Sequence, residues 1–145
     1  MKKVIIFMLA IMALLFLGNL WYQYYYKSDN IANIYISNKT RQVEEAITDE
    51  QKIVWLMNRT HIDDNGGMIF VRSGDLLRNF WMKDTMIPLD IIYINSWYNI
   101  VNIKTGIPYD LTPLSSEKPA KYVLEINWWQ AAKYNINIWD KVKIY

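Results

Sequence analysis

Two apolar patterns divide the chain into an N-terminal helix and a region of short strands. Residues 4–18 form an apolar run without a polar face, and the run extends past one asparagine to Tyr22. Beyond residue 30, short apolar runs alternate with turn-forming residues, a pattern typical of β-strands. The sequence therefore predicts one long apolar helix followed by a β-rich domain.

The clearest predicted strand is 89–94, which is apolar at every position except Asp90. A strand without a polar face is buried on both sides, so we expect it at the centre of the sheet. Residues 100–103 are expected to pair with it as a hairpin. Further strands are predicted at 43–46, 68–71, 80–81, 122–126 and 142–145.

Two short helices are predicted within the β-rich region. Residues 48–51, Thr-Asp-Glu-Gln, have the form of a capping box, and the helix that follows should end near Arg59. A second helix is predicted at 130–134, and a long surface loop at 105–118. Many short strands with two short helices predict a mainly β fold, a compact β-sandwich or barrel-like domain.

The N-terminal run predicts a membrane anchor or signal segment over residues 1–26. Residues 4–22 are long enough to cross a bilayer core of about 30 Å as a helix, and the lysine pair before them favours a cytoplasmic N-terminus. The remaining chain would then be extracytoplasmic. Residues 27–42 are expected to form a tether with a possible first strand, and 43–145 the globular domain.

A cleaved signal peptide, which would leave a secreted domain, is the alternative interpretation of the same run. Such a peptide normally ends in small residues spaced like Ala-x-Ala. No such pair follows the apolar run, so the sequence favours an uncleaved anchor.

Composition narrows the possible functions. The net charge of the 145-residue chain is +2, which is too small to indicate a nucleic-acid-binding surface. The chain has no cysteine, which excludes disulfides, a thiol nucleophile and a cysteine zinc site. Its single histidine, His61, excludes a histidine-rich metal centre. We therefore expect neither a metal nor another cofactor.

A string of motifs runs through the β-rich region. In chain order they are Leu56-Met57, Gly67-Met68-Ile69-Phe70, Phe80-Trp81-Met82-Lys83 with Thr85, Pro88-Leu89-Asp90 and the run 119–127. In order and spacing they resemble the domain of unknown function 192 family, over about residues 43–144. The resemblance implies a mostly β, sandwich-like domain, often behind a signal peptide or membrane anchor. It implies no established activity.

Tryptophan stands at several positions where the resembling family has glycine or where a tight turn is expected. Tryptophan is a poor steric substitute for a residue that supplies positive φ or close backbone approach. We hypothesise that UGA codons of this gene encode glycine and were translated as tryptophan. UGG codons there would contradict the hypothesis, whereas Trp81 belongs to the family motif and is expected to be genuine. The positions concerned are Trp55, Trp97, Trp128, Trp129 and Trp139.

Candidate binding residues concentrate in the stretch 79–90, which joins an aromatic segment to the apolar strand through a polar turn. Trp81 offers an apolar wall, Lys83 a cation and Thr85 a hydroxyl. This set suits a small anionic or hydroxylated ligand such as a sugar or a carboxylate. Arg59 either adds a second cation for anion recognition or only stabilises the C-terminus of its helix.

Asp90 and Glu125 are carboxylates within apolar strands. Burying a lone carboxylate is costly, so each should be paired, hydrogen-bonded or protonated. Asp90 either accepts backbone N–H bonds, or pairs with Arg59 or Lys83, or anchors a ligand. Together the two acids would be the candidate catalytic residues of a small hydrolase of glycosidase type.

The preferred function is a membrane-tethered, extracytoplasmic, non-catalytic ligand-binding or envelope-accessory domain. Its expected partners are the membrane, through residues 4–22, and a sugar or small anion, but not a nucleic acid. The alternatives are the small hydrolase and a structural or protein-interaction domain acting through the loop 105–118. The predicted ligand-binding residues are Arg59, Trp81, Lys83, Thr85 and Asp90.

Overall fold

A computed structural model describes residues 2–25, 30–54 and 56–145 of the protein. The two ends of the predicted anchor segment, residues 1 and 26, the start of the predicted tether, residues 27–29, and Trp55 lie outside the described residues. The described elements are α1 Lys2–Tyr25, β1 Ile31–Ile36, β2 Lys39–Ala46, α2 Asp49–Val54, β3 Met68–Leu76, β4 Asn79–Phe80, β5 Leu89–Ile94, β6 Ile100–Gly106, β7 Leu114–Ser115, β8 Ala120–Asn127, α3 Gln130–Lys133 and β9 Lys143–Ile144.

α1 forms where the sequence predicts the N-terminal helix. Within the described part of the chain, however, no helix is found with both the length and the apolar character needed to cross a membrane. The prediction of a transmembrane anchor is therefore not supported.

One sheet of seven strands, in the order β6-β5-β8-β3-β2-β1-β9, forms the body of the domain, and β4 pairs with β7 in a separate small sheet. The β2–β3 pair is parallel, and the other pairs of the large sheet are antiparallel. The sheet curls into a half-barrel rather than stacking as two sheets of a sandwich. The prediction of a mainly β fold with a few short helices is confirmed.

The capping box begins α2 as predicted: the Gln51 N–H donates to Thr48 Oγ1 at 3.2 Å, and the Thr48 N–H donates to Gln51 Oε1 at 3.0 Å. The helix ends at Val54, earlier than the predicted Arg59. The backbone turns at Asn58, where φ is 60°, and the Asn58 N–H donates to the Asp84 carbonyl at 2.7 Å. This bond directs the chain toward the polar turn of the 79–90 stretch instead of extending the helix.

Every residue of β5 is buried, as expected for a strand covered on both faces. The strand lies between β6 and β8, one position from the edge of the sheet rather than at its centre. It reaches this burial because both faces of the sheet carry a hydrophobic core.

The two faces of β5 and β8 are distinguished by what covers them. The α3 face carries Asp90, Ile92, Ile94, Leu124 and Ile126 and is covered by α3 and the C-terminal segment. The cleft face carries Leu89, Ile91, Tyr93, Val123 and Glu125 and is covered by the segment after α2 and by residues 80–82. In the β5–β8 register Asp90 is opposite Ile126 and Ile91 is opposite Glu125, so the two acids point to opposite faces.

Two glycines allow close approach: Gly67 beside the β8 backbone, and Gly106 on the cleft face. A Cβ at Gly67 would lie 2.5 Å from the Glu125 carbonyl oxygen. A Cβ at Gly106 would collide with the sulfur of Met82, which is 1% exposed. The second glycine therefore lets Met82 pack directly against β6 and fixes the segment 79–85 over the sheet.

Candidate functional site

A cleft of about 290 Å³ opens on the cleft face between α2, β3 and the segment 79–85. Glu125, which is 5% exposed, lies at its floor, and more exposed side chains form its rim. An apolar cleft with a few convergent polar groups is the usual form of a small-molecule site. Its principal apolar residues are Leu56, Phe70, Phe80, Trp81, Met82 and Leu89, and its cations are Lys52, Arg72 and Lys83.

The Glu125 side chain is held in place by its strand. β8 sets this residue opposite Ile91 of β5 and Met68 of β3, so apolar neighbours flank it on both sides. No described residue donates a hydrogen bond to its carboxyl group or forms an ion pair with it. Burial raises the pKa of Glu125 to about 8, so the group is mainly a neutral carboxylic acid at pH 7. Its O–H is therefore a donor at the floor of the cleft.

The polar turn of the segment 79–85 forms one wall of the cleft. Its Thr85 N–H donates to the Met82 carbonyl at 3.1 Å, and Asp84 has a left-handed backbone with φ of 53°. The Thr85 hydroxyl donates to the Lys83 carbonyl at 3.2 Å, so it stabilises the turn. The Lys83 ammonium lies 5.7 Å from the centroid of the Trp81 ring, within cation–π range.

The charges around the cleft are unbalanced. Lys52, Arg72 and Lys83 line it, and Glu125 is the single acid among its described lining residues. Lys52 Nζ lies 3.6 Å from Asp49 Oδ1, but the Asp49 side chain is 88% exposed and compensates little of the charge. The cleft therefore favours an anionic ligand. Within the described chain no cluster of His, Asp or Glu is suited to hold a metal ion.

Asp90 lies on the α3 face, outside this cleft. Its Oδ2 accepts the Ala131 N–H at 2.8 Å, and the backbone N–H groups of Trp129 and Gln130 also bond to the carboxylate. Burial raises the pKa of Asp90, while these bonds and the charge of Arg41 act in the opposite direction. The carboxylate thus fixes the start of α3 on the sheet.

Arg41 is a buried residue of the α3 face that sequence reasoning missed. It is 0% exposed, and its Nη1 donates to the Asp64 carbonyl at 3.3 Å and to the Gln130 side chain. The guanidinium carbon lies 5.1 Å from the centroid of the Tyr134 ring. The available signal was its position two residues before the apolar Val43, which places both side chains on the same face of a strand. Residues 27–42, however, were predicted as a tether with a possible first strand.

Arg59 is also occupied outside the cleft. Its Nη1 and Nη2 donate to the two carboxylate oxygens of Glu44 at 2.6 and 3.0 Å, a bidentate ion pair. Glu44 is opposite Met68, which is opposite Glu125, so the pair lies two strands away on the same face. The pair therefore borders the cleft region without lining it.

The structure brings together four of the residues singled out in the sequence, and it separates two others from them. Trp81, Lys83, Thr85 and Glu125 line one cleft, whereas Arg59 and Asp90 do not. Lys52 and Arg72 join the site without having been predicted. Because Asp90 and Glu125 occupy opposite faces, they do not face a common substrate site.

The tryptophans in question are exposed where the structure describes them. Trp129 and Trp139 have φ of 69° and 78°, the left-handed region that favours glycine, whereas Trp97 and Trp128 are not in it. Two of the four positions that the structure describes therefore have a glycine-like backbone. This geometry supports the recoding hypothesis at these two positions.

Comparisons with known proteins agree with the β fold. The family model for domain of unknown function 192, described as an uncharacterized ACR, matches residues 32–144. A protein of unknown function from Novosphingobium aromaticivorans is 38% identical, with a TM-score of 0.72, covering 78% of this chain and 83% of that one. A protein from Sinorhizobium meliloti, named as a candidate transcription regulator, is 27% identical, with a TM-score of 0.76, covering 81% of this chain and 95% of that one. None of the curated proteins matches the chain.

Proposed function

Since the chain belongs to the domain of unknown function 192 family, for which no activity is described, we propose a function from the site itself. The domain is a non-catalytic module that binds a small anionic or hydroxylated molecule in the cleft above Glu125. One observation carries this proposal: a buried carboxyl group without a hydrogen-bond partner among the described residues lies at the floor of an open cleft. Such a group is costly unless a ligand or solvent satisfies it.

The composition of the cleft favours binding over hydrolysis. A glycosidase-type hydrolase needs two carboxyl groups flanking the scissile bond, and Glu125 is the single carboxylate among the described lining residues. The Thr85 hydroxyl donates to a backbone carbonyl, and no described lining residue is a histidine that would activate it. The groups present can hold a molecule, but they do not form an acid–base pair.

The proposal includes the extracytoplasmic location predicted from the two lysines before the N-terminal apolar run. Protease added to spheroplasts should then digest the domain. Protection of the domain until the spheroplasts are lysed would contradict this location, and a cytoplasmic marker protein serves as the control.

Ligand binding is tested by a thermal-shift screen of the full-length chain against sugars, cell-wall fragments and small organic anions. A ligand present at one hundred times its dissociation constant stabilises the folded state by about 2.7 kcal/mol. Lys83→Ala should reduce the shift, because Lys83 lines the cleft. Lys133→Ala is the matched control, since this exposed lysine lies in α3 on the opposite face. If no compound gives a shift that depends on Lys83, the proposed function is wrong.

A protein-interaction role is the second candidate, favoured by the loop beside the cleft. Ile107, Tyr109 and Leu111 are 64%, 59% and 63% exposed. The loop is bound to the cleft wall, because the Tyr109 N–H donates to the Thr85 carbonyl at 3.1 Å. Serine at all three positions should abolish cross-linking to a partner protein if this role is correct, and should leave small-ligand binding intact if only the cleft functions.

A further inference from the structure

We propose that the ligand is a small amphipathic organic anion with three parts: an anionic head that meets the cations of the cleft, an apolar body, and a remote carbonyl oxygen that accepts a hydrogen bond from the Glu125 carboxyl group. This inference rests on the proposed function, because the ligand must occupy the same cleft. It goes further by assigning a separate chemical role to each part of the cleft.

The floor of the cleft selects a hydrogen-bond acceptor. The neutral carboxyl group of Glu125 offers one O–H donor, and no described residue takes part in a bond with it. A ligand carbonyl oxygen satisfies this donor without bringing a second charge into the buried floor. A carboxylate head placed there would be desolvated among apolar side chains such as Phe70 and Leu89.

The walls of the cleft disfavour a sugar. The side chains of Leu56, Phe70, Phe80, Met82 and Leu89 present carbon and sulfur to the interior. A sugar carries hydroxyl groups around its whole ring, and most of them would lose their hydrogen bonds to water without gaining partners. An apolar body between two polar ends matches these walls.

The cations select the anionic head. Lys52, Arg72 and Lys83 come from three different segments of the chain, and all three line the cleft. Among the described residues, no ion pair joins any of the three to Glu125. The anionic head on the cations and the acceptor on the floor therefore belong to different parts of the ligand, with the apolar body between them.

The arrangement makes acceptor recognition depend on pH. The charged and titratable groups around Glu125 are Lys52 on α2, Arg72 on β3, Lys83 in the polar turn, Tyr93 on β5 and the Glu44–Arg59 ion pair on the β2 side. Burial and the nearby Glu125 raise the pKa of Tyr93. Glu125 is the acid of this group that loses its proton near pH 8, and its carboxylate would then repel the carbonyl oxygen of the ligand.

Three matched probes separate the parts of the ligand. 4-Acetylbenzoate carries the head and the acceptor, 4-isopropylbenzoate carries the head with a similar shape but no acceptor, and 4-methylacetophenone carries the acceptor without the charge. Isothermal titration calorimetry of the full-length chain at pH 7 should show 4-acetylbenzoate binding about tenfold more tightly than 4-isopropylbenzoate, the effect of one hydrogen bond to an otherwise unpaired buried group. That ratio should approach one above pH 9.

Variants of Glu125 identify the group responsible. Glu125→Gln supplies an amide donor at every pH, so it should keep the preference for 4-acetylbenzoate at both pH 7 and pH 9. Glu125→Leu supplies no donor and should abolish the preference. Because leucine is apolar, this variant places no charged group in the core. Circular dichroism verifies that both variants are folded.

The outcomes distinguish this inference from the proposed function. If both benzoates bind equally at pH 7 and Lys83→Ala weakens both, the cleft binds anions but the role of Glu125 is wrong. If a sugar binds in a Lys83-dependent manner and the benzoates do not, the ligand class is wrong while the binding function stands. If no probe or screened compound depends on Lys83, both proposals fail.

Discussion

Asp90 and Glu125 occupy neighbouring positions of one ladder, yet their surroundings differ completely. They are 4% and 5% exposed, and burial raises the pKa of each. On the α3 face, three backbone N–H groups and the charge of Arg41 surround Asp90. On the cleft face, no described donor reaches Glu125. Burial alone therefore does not identify a functional acid, because what distinguishes the two is whether the protein itself supplies the partner.

The difference arises from what covers each face. The α3 face meets backbone, since the turn at Trp129 presents consecutive N–H groups to one carboxylate. The cleft face is covered mainly by side chains such as Phe70 and Met82, which have no donors to offer. The same type of side chain therefore stabilises the fold on one face and remains available to a ligand on the other.

The largest expected effect comes from removing the satisfied acid. Asp90→Ala should lower the free energy of unfolding by about 3–5 kcal/mol, because it leaves backbone N–H groups and the buried Arg41 without their anionic partner. Urea denaturation followed by circular dichroism measures this change. Asp90→Asn keeps one acceptor oxygen and should cost less. A loss below about 1 kcal/mol for the alanine variant would remove the contrast between the two acids.

A smaller effect of opposite sign is expected at Glu125. Its pKa rises from 4.5 to about 8 on folding, so between these values the folded chain keeps a proton that the unfolded chain releases. Stability therefore falls as pH rises from about 4.5 to about 8, and it levels off above that range. Glu125→Gln removes this decline and should raise the free energy of unfolding at pH 6 by about 2 kcal/mol.

Urea denaturation at a series of pH values measures the effect of Glu125→Gln. The wild type and the variant should converge near pH 4, where both side chains are neutral in the folded and the unfolded chain. Parallel stability profiles from pH 4 to pH 8 would show that Glu125 is not the unpaired acid described above.

The smallest effect concerns the turn that supplies donors to Asp90. Trp129→Gly should stabilise the chain by about 1 kcal/mol, because a left-handed backbone costs roughly that amount for a residue with a Cβ. Trp139→Gly should behave similarly, since its φ is 78°. Trp97→Gly is the control, because Trp97 does not have a positive φ. Equal changes in melting temperature for all three variants would argue against the recoding hypothesis.

The strands were largely predictable because their apolar runs and turn residues are local signals. β5 is buried along its whole length, as its composition indicated, and the capping box begins α2. The half-barrel was not predictable, since it depends on pairings between distant strands such as the parallel β2–β3 pair. The end of α2 was also missed, because a bond from Asn58 to the distant Asp84 determines it.

The site was only partly predictable for the same reason. Trp81, Lys83 and Thr85 are close in sequence, so their shared surface followed from local spacing. Lys52 and Arg72 reach the cleft only through the tertiary fold. Which of the two acids lacks a partner depends on the β5–β8 register and on the position of α3, and neither is encoded in a local pattern.

Gly106 has a consequence for how members of this fold can differ. It lies outside the cleft, but its missing side chain is the space into which Met82 packs. A single methyl group at this position would displace Met82 and, with it, the wall that carries Trp81 and Lys83. The capacity of the cleft is thus adjustable by one substitution that leaves its acid and its cations unchanged. The size of the molecule that the cleft accepts can therefore change without a change in the groups that recognise it.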